Sequence, residues 1–159
     1  MTFHLQTLLD LRRNAENGAR QALDVAAGSH RREEDEQARL VTHWREARDK
    51  TADETKRLVS GPSPNTADQA TAREHYLARL RDEVSRLWGV AEGHRVGALA
   101  AAKDAETAAQ NAYEEARAAR EAVEKLKERA DAEDARKAER RADESAADLA
   151  QAAHFKRSK

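Results

Sequence analysis

The stretch Ser60-Gly61-Pro62-Ser63-Pro64-Asn65-Thr66 decides the fold. A glycine followed by proline, with a second proline two residues on, stops a helix and forces extended backbone. These two are the only prolines in the 159 residues. Thr66 or Asp68 can open a new helix by accepting a hydrogen bond from the exposed amides of its first turn. On either side the chain is rich in Ala, Glu, Arg, Lys and Leu, so the break separates two long helices. The predicted organisation is a first helix over 1–58, a loop over 59–68, a second helix over 67–152 and a tail over 153–159, all in one domain.

Apolar spacing outward from the break supports two helices that pack. On the first, Leu5, Leu8, Leu11, Ala15, Ala19, Ala22 and Ala26 recur at threes and fours. The stripe fades at Glu33-Glu34-Asp35-Glu36 and returns at Leu40, Trp44 and Ala47. The second helix carries Leu77, Leu80, Val84, Leu87 and Ala91, then Ala98, Ala105, Ala108, Ala112, Ala116, Ala119, Val123, Leu126 and Ala130. Alternating steps of three and four lay one narrow seam along a helix, the geometry of a coiled coil. His94 and the steps between Ala112 and Ala119 depart from strict heptads, so the supercoil is expected to loosen there.

A short linker makes the helices antiparallel neighbours. Folding about Ser63 sets opposite each other residues whose numbers sum to about 127 at equal rise per residue. Trp44 then faces Val84, Leu40 faces Leu87, Ala26 faces Ala101, Ala15 faces Ala112 and Leu5 faces Val123. The predicted fold class is therefore all-α: a two-helix antiparallel coiled-coil hairpin whose second helix is the longer. From about residue 127 that helix overhangs its partner by roughly 38 Å. The overhang keeps an apolar row of Ala130, Ala135, Ala138, Ala142, Ala146, Leu149 and Ala153. A lone helix of this kind frays or is covered by another protein. Its last cations, Lys156, Arg157 and Lys159, suit a helix C-terminus.

Composition restricts function. Charged residues are 37% and aromatic residues 4% of the chain, too few large apolar groups for an ordinary compact core. The 29 basic and 30 acidic residues nearly cancel, which argues against a nucleic-acid partner. No cysteine is present, which removes disulfides, thiolate metal sites and thiol nucleophiles. None of the six histidines (His4, His30, His43, His75, His94, His154) lies three or four residues from another, the spacing that puts two metal ligands on one helical face. Neither a phosphate-binding loop nor a nucleophile elbow occurs. Carboxylates sit among Arg and Lys, as around Glu124, Lys125, Glu128 and Arg129, in the manner of solvated helix faces. No enzymatic activity, metal or cofactor is expected. Apolar runs such as Ala98–Ala102 are far short of the ~20 residues of a membrane span, and a cytoplasmic location without membrane insertion is expected.

Two clusters admit a functional and a bland reading. Glu33–Glu36 after Arg31-Arg32 is an acidic docking site or a solvated bend. Tyr76, Leu77, Leu80, Val84, Leu87 and Trp88 form two adjacent apolar edges, wider than one seam needs. They are an anchor for a partner or a local widening of the core around Trp44 and Trp88.

The opening Phe3-His4-Leu5-Gln6-Thr7-Leu8-Leu9-Asp10-Leu11-Arg12-Arg13-Asn14-Ala15-Glu16 resembles the start of the FliJ family, the small stalk proteins of flagellar type III protein export, homologous to the YscO (SctO) proteins of injectisomes. Ala122-Val123-Glu124-Lys125-Leu126-Lys127-Glu128-Arg129 is similar to that family's Leu-Glu-Lys-Leu-x-Glu-Arg segment. Ala142-Asp143-Glu144-Ser145-Ala146 resembles its Asp-Glu terminus. The resemblance implies a fold like the coiled coil of the rotary ATPase gamma subunit. It also implies a central stalk that promotes assembly of a hexameric export ATPase and couples it to the cytoplasmic part of the membrane export gate. Cargo chaperones would be further partners. By position, Phe3, Leu5, Leu8, Leu9, Leu11, Val123, Leu126 and Leu149 would meet the ATPase ring, and Tyr76, Leu80 and Leu87 the gate. Glu83 departs from the small residue expected there. The alternative is a structural coiled-coil scaffold or tether without an ATPase partner.

Overall fold

The computed structural model describes the backbone of residues 2–157 and the side chains of residues 4–151. Helix α1 spans Thr2–Ser60 and α2 spans Ala67–His94. A five-residue π-helical segment, Arg95–Leu99, joins α2 to α3, which spans Ala100–Arg157. No strand occurs among the described residues. The chain is an all-α helical hairpin. The helices overrun the predicted limits: α1 continues two residues to Ser60, and α3 continues through most of the expected tail.

The turn is built as its residues dictate. Pro62 and Pro64 hold extended backbone, and Thr66, itself extended at φ −133° and ψ 156°, caps α2. Its hydroxyl accepts from the Gln69 amide at 3.2 Å, and Gln69 Oε1 accepts from the Asn65 amide at 2.9 Å. One orphan donor of the helix start, and the amide just ahead of the cap, are thereby satisfied. A β-carbon at Gly61 would lie 3.0 Å from the Arg57 carbonyl oxygen, so the chain leaves α1 where a side chain would be crowded.

The chain divides into two units, Ala22–Gln110 and Met1–Gln21 with Asn111–Lys159. In the first, Trp44 lies against Trp88 with ring centroids 4.8 Å apart, and Gln37 and Glu33 both reach His94. Leu87 and Ala91 are its buried apolar residues. In the second, Leu9 and Val123 are buried, and Glu16 and Arg120 meet across the helices. In each unit the residue numbers fall along α1 as they rise along the facing helix, which is antiparallel packing.

The seam is regular, but it is displaced from the expected one. Along α1 the seam runs Leu5, Leu9, then Glu16, Ala19, Leu23, Ala26, His30, Glu33, Gln37, Leu40, Trp44, Ala47, Thr51, Glu54 and Leu58, with Gln6, Ala27, Ser29, Val41 and Thr55 partly covered beside it. The spacing of the seam is an unbroken heptad apart from exposed Arg12. Leu8, Leu11, Ala15 and Ala22, expected in the seam, are exposed. Along α2 the expected residues hold, with Arg73 before them and His94 after. On α3 the seam runs Leu99, Ala102, Glu106, Ala109, Tyr113, Ala116, Arg120, Val123, Lys127 and Ala130, while Ala98, Ala105, Ala108, Ala112 and Leu126 are exposed. The step from His94 to Leu99 is five residues where four would continue the heptad. The π segment occupies that step and absorbs the extra residue, so α3 enters rotated by one position.

The pairing sum is corrected as well. Antiparallel heptads set Gln37 opposite His94, a sum of 131, and their side chains are hydrogen-bonded at 2.9 Å. After the added residue the same rule sets Leu9 opposite Val123, a sum of 132, and both are buried. Trp44 meets Trp88, one turn beyond the expected Val84. The offset of about four from 127 is one helical turn. The proline-stiffened linker carries the chain past the end of α1, so α2 starts about a turn beyond it; residues 61–69 are all exposed.

Candidate functional site

The heptad of α1 does not stop at the acidic run, as the fading apolar stripe suggested; it becomes polar. In Ala22–Gln110, His30 and His94 occupy seam positions with side chains 17% and 14% exposed. His30 Nδ1 lies 2.6 Å from Glu106 Oε2, and His94 contacts Glu33 Oε2 and Gln37 Oε1, each at 2.9 Å. Each ring is thus held from both helices or against two partners. Polar groups so placed satisfy one another in one register only, which fixes alignment at some cost in stability. Glu33 is therefore a seam residue, while Glu34, Asp35 and Glu36 of the same run are exposed. This is why a search for apolar periodicity missed the layer: the positions are periodic and the residue types are not apolar.

A second cluster lies in the other unit. Arg120 Nε is 2.6 Å from Glu16 Oε2, an ion-pair contact without hydrogen-bond geometry, and its Nη1 donates to Glu124 Oε2. Arg13 Nη2 donates to Glu124 Oε1 at 3.4 Å. Glu16 and Arg120 are only 18% and 22% exposed, so this network closes one edge of the seam. Many of the other charges pair at the surface along single helices, among them Arg86 with Glu83, Arg95 with Glu92 and Arg117 with Glu121. Hydrogen bonds from Arg86, Arg95 and Arg117 hold the exposed carboxyls of Glu83, Glu92 and Glu121 below the ordinary carboxylate range, and those arginines are raised in turn.

The residues expected to meet an ATPase ring separate by exposure. Leu9 and Val123 are 3% and 7% exposed and belong to the seam. Leu5 is half-buried. Leu8, Leu11, Leu126 and Leu149 present 37%, 61%, 52% and 72% of their surface. The side chain of Phe3 lies outside the described residues. From Asp131 to Gln151 every residue is exposed, so the overhang has no cover within its unit. Of the residues expected at a gate, Leu87 is buried at 6% exposure, while Tyr76 and Leu80 are half-buried. Leu80 lines a shallow cleft of about 310 Å³ with His43, Ala47, Lys50, Glu83 and Leu87. Trp88 is 47% exposed although one face of it packs on Trp44, and Arg48 stacks 5.1 Å from the centre of the Trp44 ring. Part of the wide apolar edge is core, and part is surface.

Among the described residues no group of three or more His, Asp or Glu is placed to hold a metal, and no helix is long and apolar enough to cross a membrane. Fold and surface together define an all-helical hairpin with coiled-coil spacing, polar layers in its seam and apolar side chains left open along its flanks. No protein-family model, characterised protein or solved structure matches the chain.

Proposed function

We propose that the protein is a soluble central-stalk component of a type III protein export apparatus, working in the cytoplasm at the base of the machine. It promotes assembly of the hexameric export ATPase and couples that ring to the export gate, with no catalysis of its own. The observation that carries this reading is the open apolar surface beside the resembling segments. Leu8, Leu11, Leu126 and Leu149 are exposed in the same unit as an uncovered helix of some twenty residues. A ring's inner sleeve would cover such a surface, with Leu9 and Val123 holding the helices beneath it. The gate contact falls to Tyr76 and Leu80, with Leu87 supporting them from the core.

The test measures ring assembly and ATP hydrolysis by an export ATPase with the full chain and with a chain ending at Arg129. The full chain should stimulate and the truncation should not, with the remaining helices still folded. Stimulation by neither favours the alternative, a coiled-coil scaffold or tether without an ATPase partner; equal stimulation by both means that the overhang does not meet the ring. Tyr76→Ala with Leu80→Ala should weaken binding to the gate's cytoplasmic part and leave the helical signal nearly unchanged.

A further inference from the structure

Two seams run along α3, and the π segment selects between them. The heptad of α2 passes through Leu80, Val84, Leu87, Ala91 and His94 in steps of four and three. Continued without a break, it reaches Ala98, Ala101, Ala105 and Ala108 in the unit Ala22–Gln110. In the other unit the same count reaches Ala112, Glu115, Ala119, Ala122 and Leu126. Eight of these nine residues are apolar. All but half-buried Ala119 are exposed, because the covered seam lies one position later. That seam contains Glu106, Arg120 and Lys127, and it meets α1 only because Arg95–Leu99 takes one residue more than a heptad step.

The face of α1 serves both seams. With the pairing sum of 131 carried on from Gln37 and His94, Ala26 falls opposite Ala105 and Leu23 opposite Ala108 in the first unit. In the second, Ala19 falls opposite Ala112 and Leu9 opposite Ala122. Apolar meets apolar at each, and Glu16 with Glu115 is the one like-charge layer. The terms oppose each other. The covered seam brings in the larger side chains Leu99, Tyr113 and Val123, and with them the contacts of His30 with Glu106 and of Arg120 with Glu16. Against that it takes three charged side chains and a π turn out of the ordinary helix. The other seam is smaller in area, almost wholly apolar, and lies on an unbroken α-helix.

We propose that α3 has two registers against α1: the π register described above, and a straight one in which Arg95–Leu99 becomes α-helical and α3 turns by one residue, about 100°. The contacts of His94 with Glu33 and Gln37 precede the π segment and persist in both. The turn covers Leu126 and the alanine row, brings Tyr113 and Val123 out, and moves Glu106 and Arg120 from the seam to its flank. The hairpin thereby changes the face it presents without unfolding. The inference stands apart from the export reading.

The chain lacks cysteine, so placed pairs report the register. Leu23→Cys with Ala109→Cys joins the π register, and Leu23→Cys with Ala108→Cys the straight one. Disulfide closure under mild oxidation is followed in the otherwise full-length chain, in one lacking Gly97 and in one carrying Ala105→Glu. Without Gly97 the extra residue is gone, so an unbroken helix presents Ala109 and has no second seam to turn to. Ala105 is exposed in the π register and covered only in the straight one, so a carboxylate there opposes the straight register alone. The pair with Ala109→Cys should close in all three chains. The pair with Ala108→Cys should close in the first and do so about tenfold or more slowly in the other two. If it stays reduced in the first chain, or closes equally in all three, the proposal is overturned.

Discussion

At the scale of single residues, neighbours in sequence have opposite roles. Leu8 and Leu9 differ by one position, yet Leu9 is 3% exposed and Leu8 37%; Leu11 is 61% exposed. One residue is 100° of helix, enough to carry a side chain from the seam to its flank. Leu9→Ala should therefore cost about 2 kcal/mol, the low end for a buried leucine because the seam is narrow. Leu11→Ala should stay within about 0.5 kcal/mol. Thermal and urea unfolding of the two variants checks this, and equal losses would place both leucines in the core. Sequence reading located the run of leucines but put Leu8 and Leu11 in the seam, where Leu9 is the buried one. Leu5, Leu8 and Leu11 make as good a stripe as Leu5 and Leu9, and what decides is the phase imposed by Glu16, Ala19 and Leu23 further along. The polar seam residues His30, Glu33 and Gln37 were invisible to the same reading, because it counted only apolar side chains.

At the scale of elements, the π segment sets that phase for the second half of the molecule. It adds one residue between His94 and Leu99, which moves the pairing sum from 131 to 132 and turns α3 by one position. Deleting Gly97, whose missing β-carbon has nothing within 4 Å, should leave a continuous α-helix in the same register, with an unchanged or higher melting temperature. Deleting Ala109 instead rotates everything after it out of the seam and should lower the melting temperature clearly. If the Gly97 deletion is the more damaging, the extra residue is not what aligns α3. The exposed ion pairs along the helices give a second expectation. Glu83, Glu92 and Glu121 titrate below their ordinary value of 4.5 because Arg86, Arg95 and Arg117 hydrogen-bond to them. Their stabilisation is present above that value and is lost as pH falls through the lowered ones. Helix stability should thus decline in acid below about pH 4.5, and replacing all three by Gln should flatten the decline. The effect is small, since all three pairs are exposed and screened by salt. The break between the helices was legible, since Gly61-Pro62 and Thr66 stop and start them where their chemistry requires; the far end was not, since α3 runs on to Arg157 through residues read as a tail.

At the scale of the whole molecule, the all-helical hairpin with a longer second helix was readable from two prolines, a heptad rhythm and a shortage of aromatic residues. Its register was not. Counting from the turn assumes that the chain reverses at a point, whereas Pro62 and Pro64 carry it about a turn further before α2 begins. Leu126 and Leu149, read as part of a surface that would meet an ATPase ring, are exposed. Leu9 and Val123, read as part of that surface, are the buried pair beneath it. The hairpin's alignment is what places every surface residue, so it is the claim to test first. In a chain free of cysteine, Leu9→Cys with Val123→Cys should close a disulfide readily under mild oxidation and raise the melting temperature. Leu5→Cys with Val123→Cys, the pair that simple counting from the turn would join, should stay largely reduced. Ready closure of the second pair and not the first would contradict the register, and with it the division between seam and open flank.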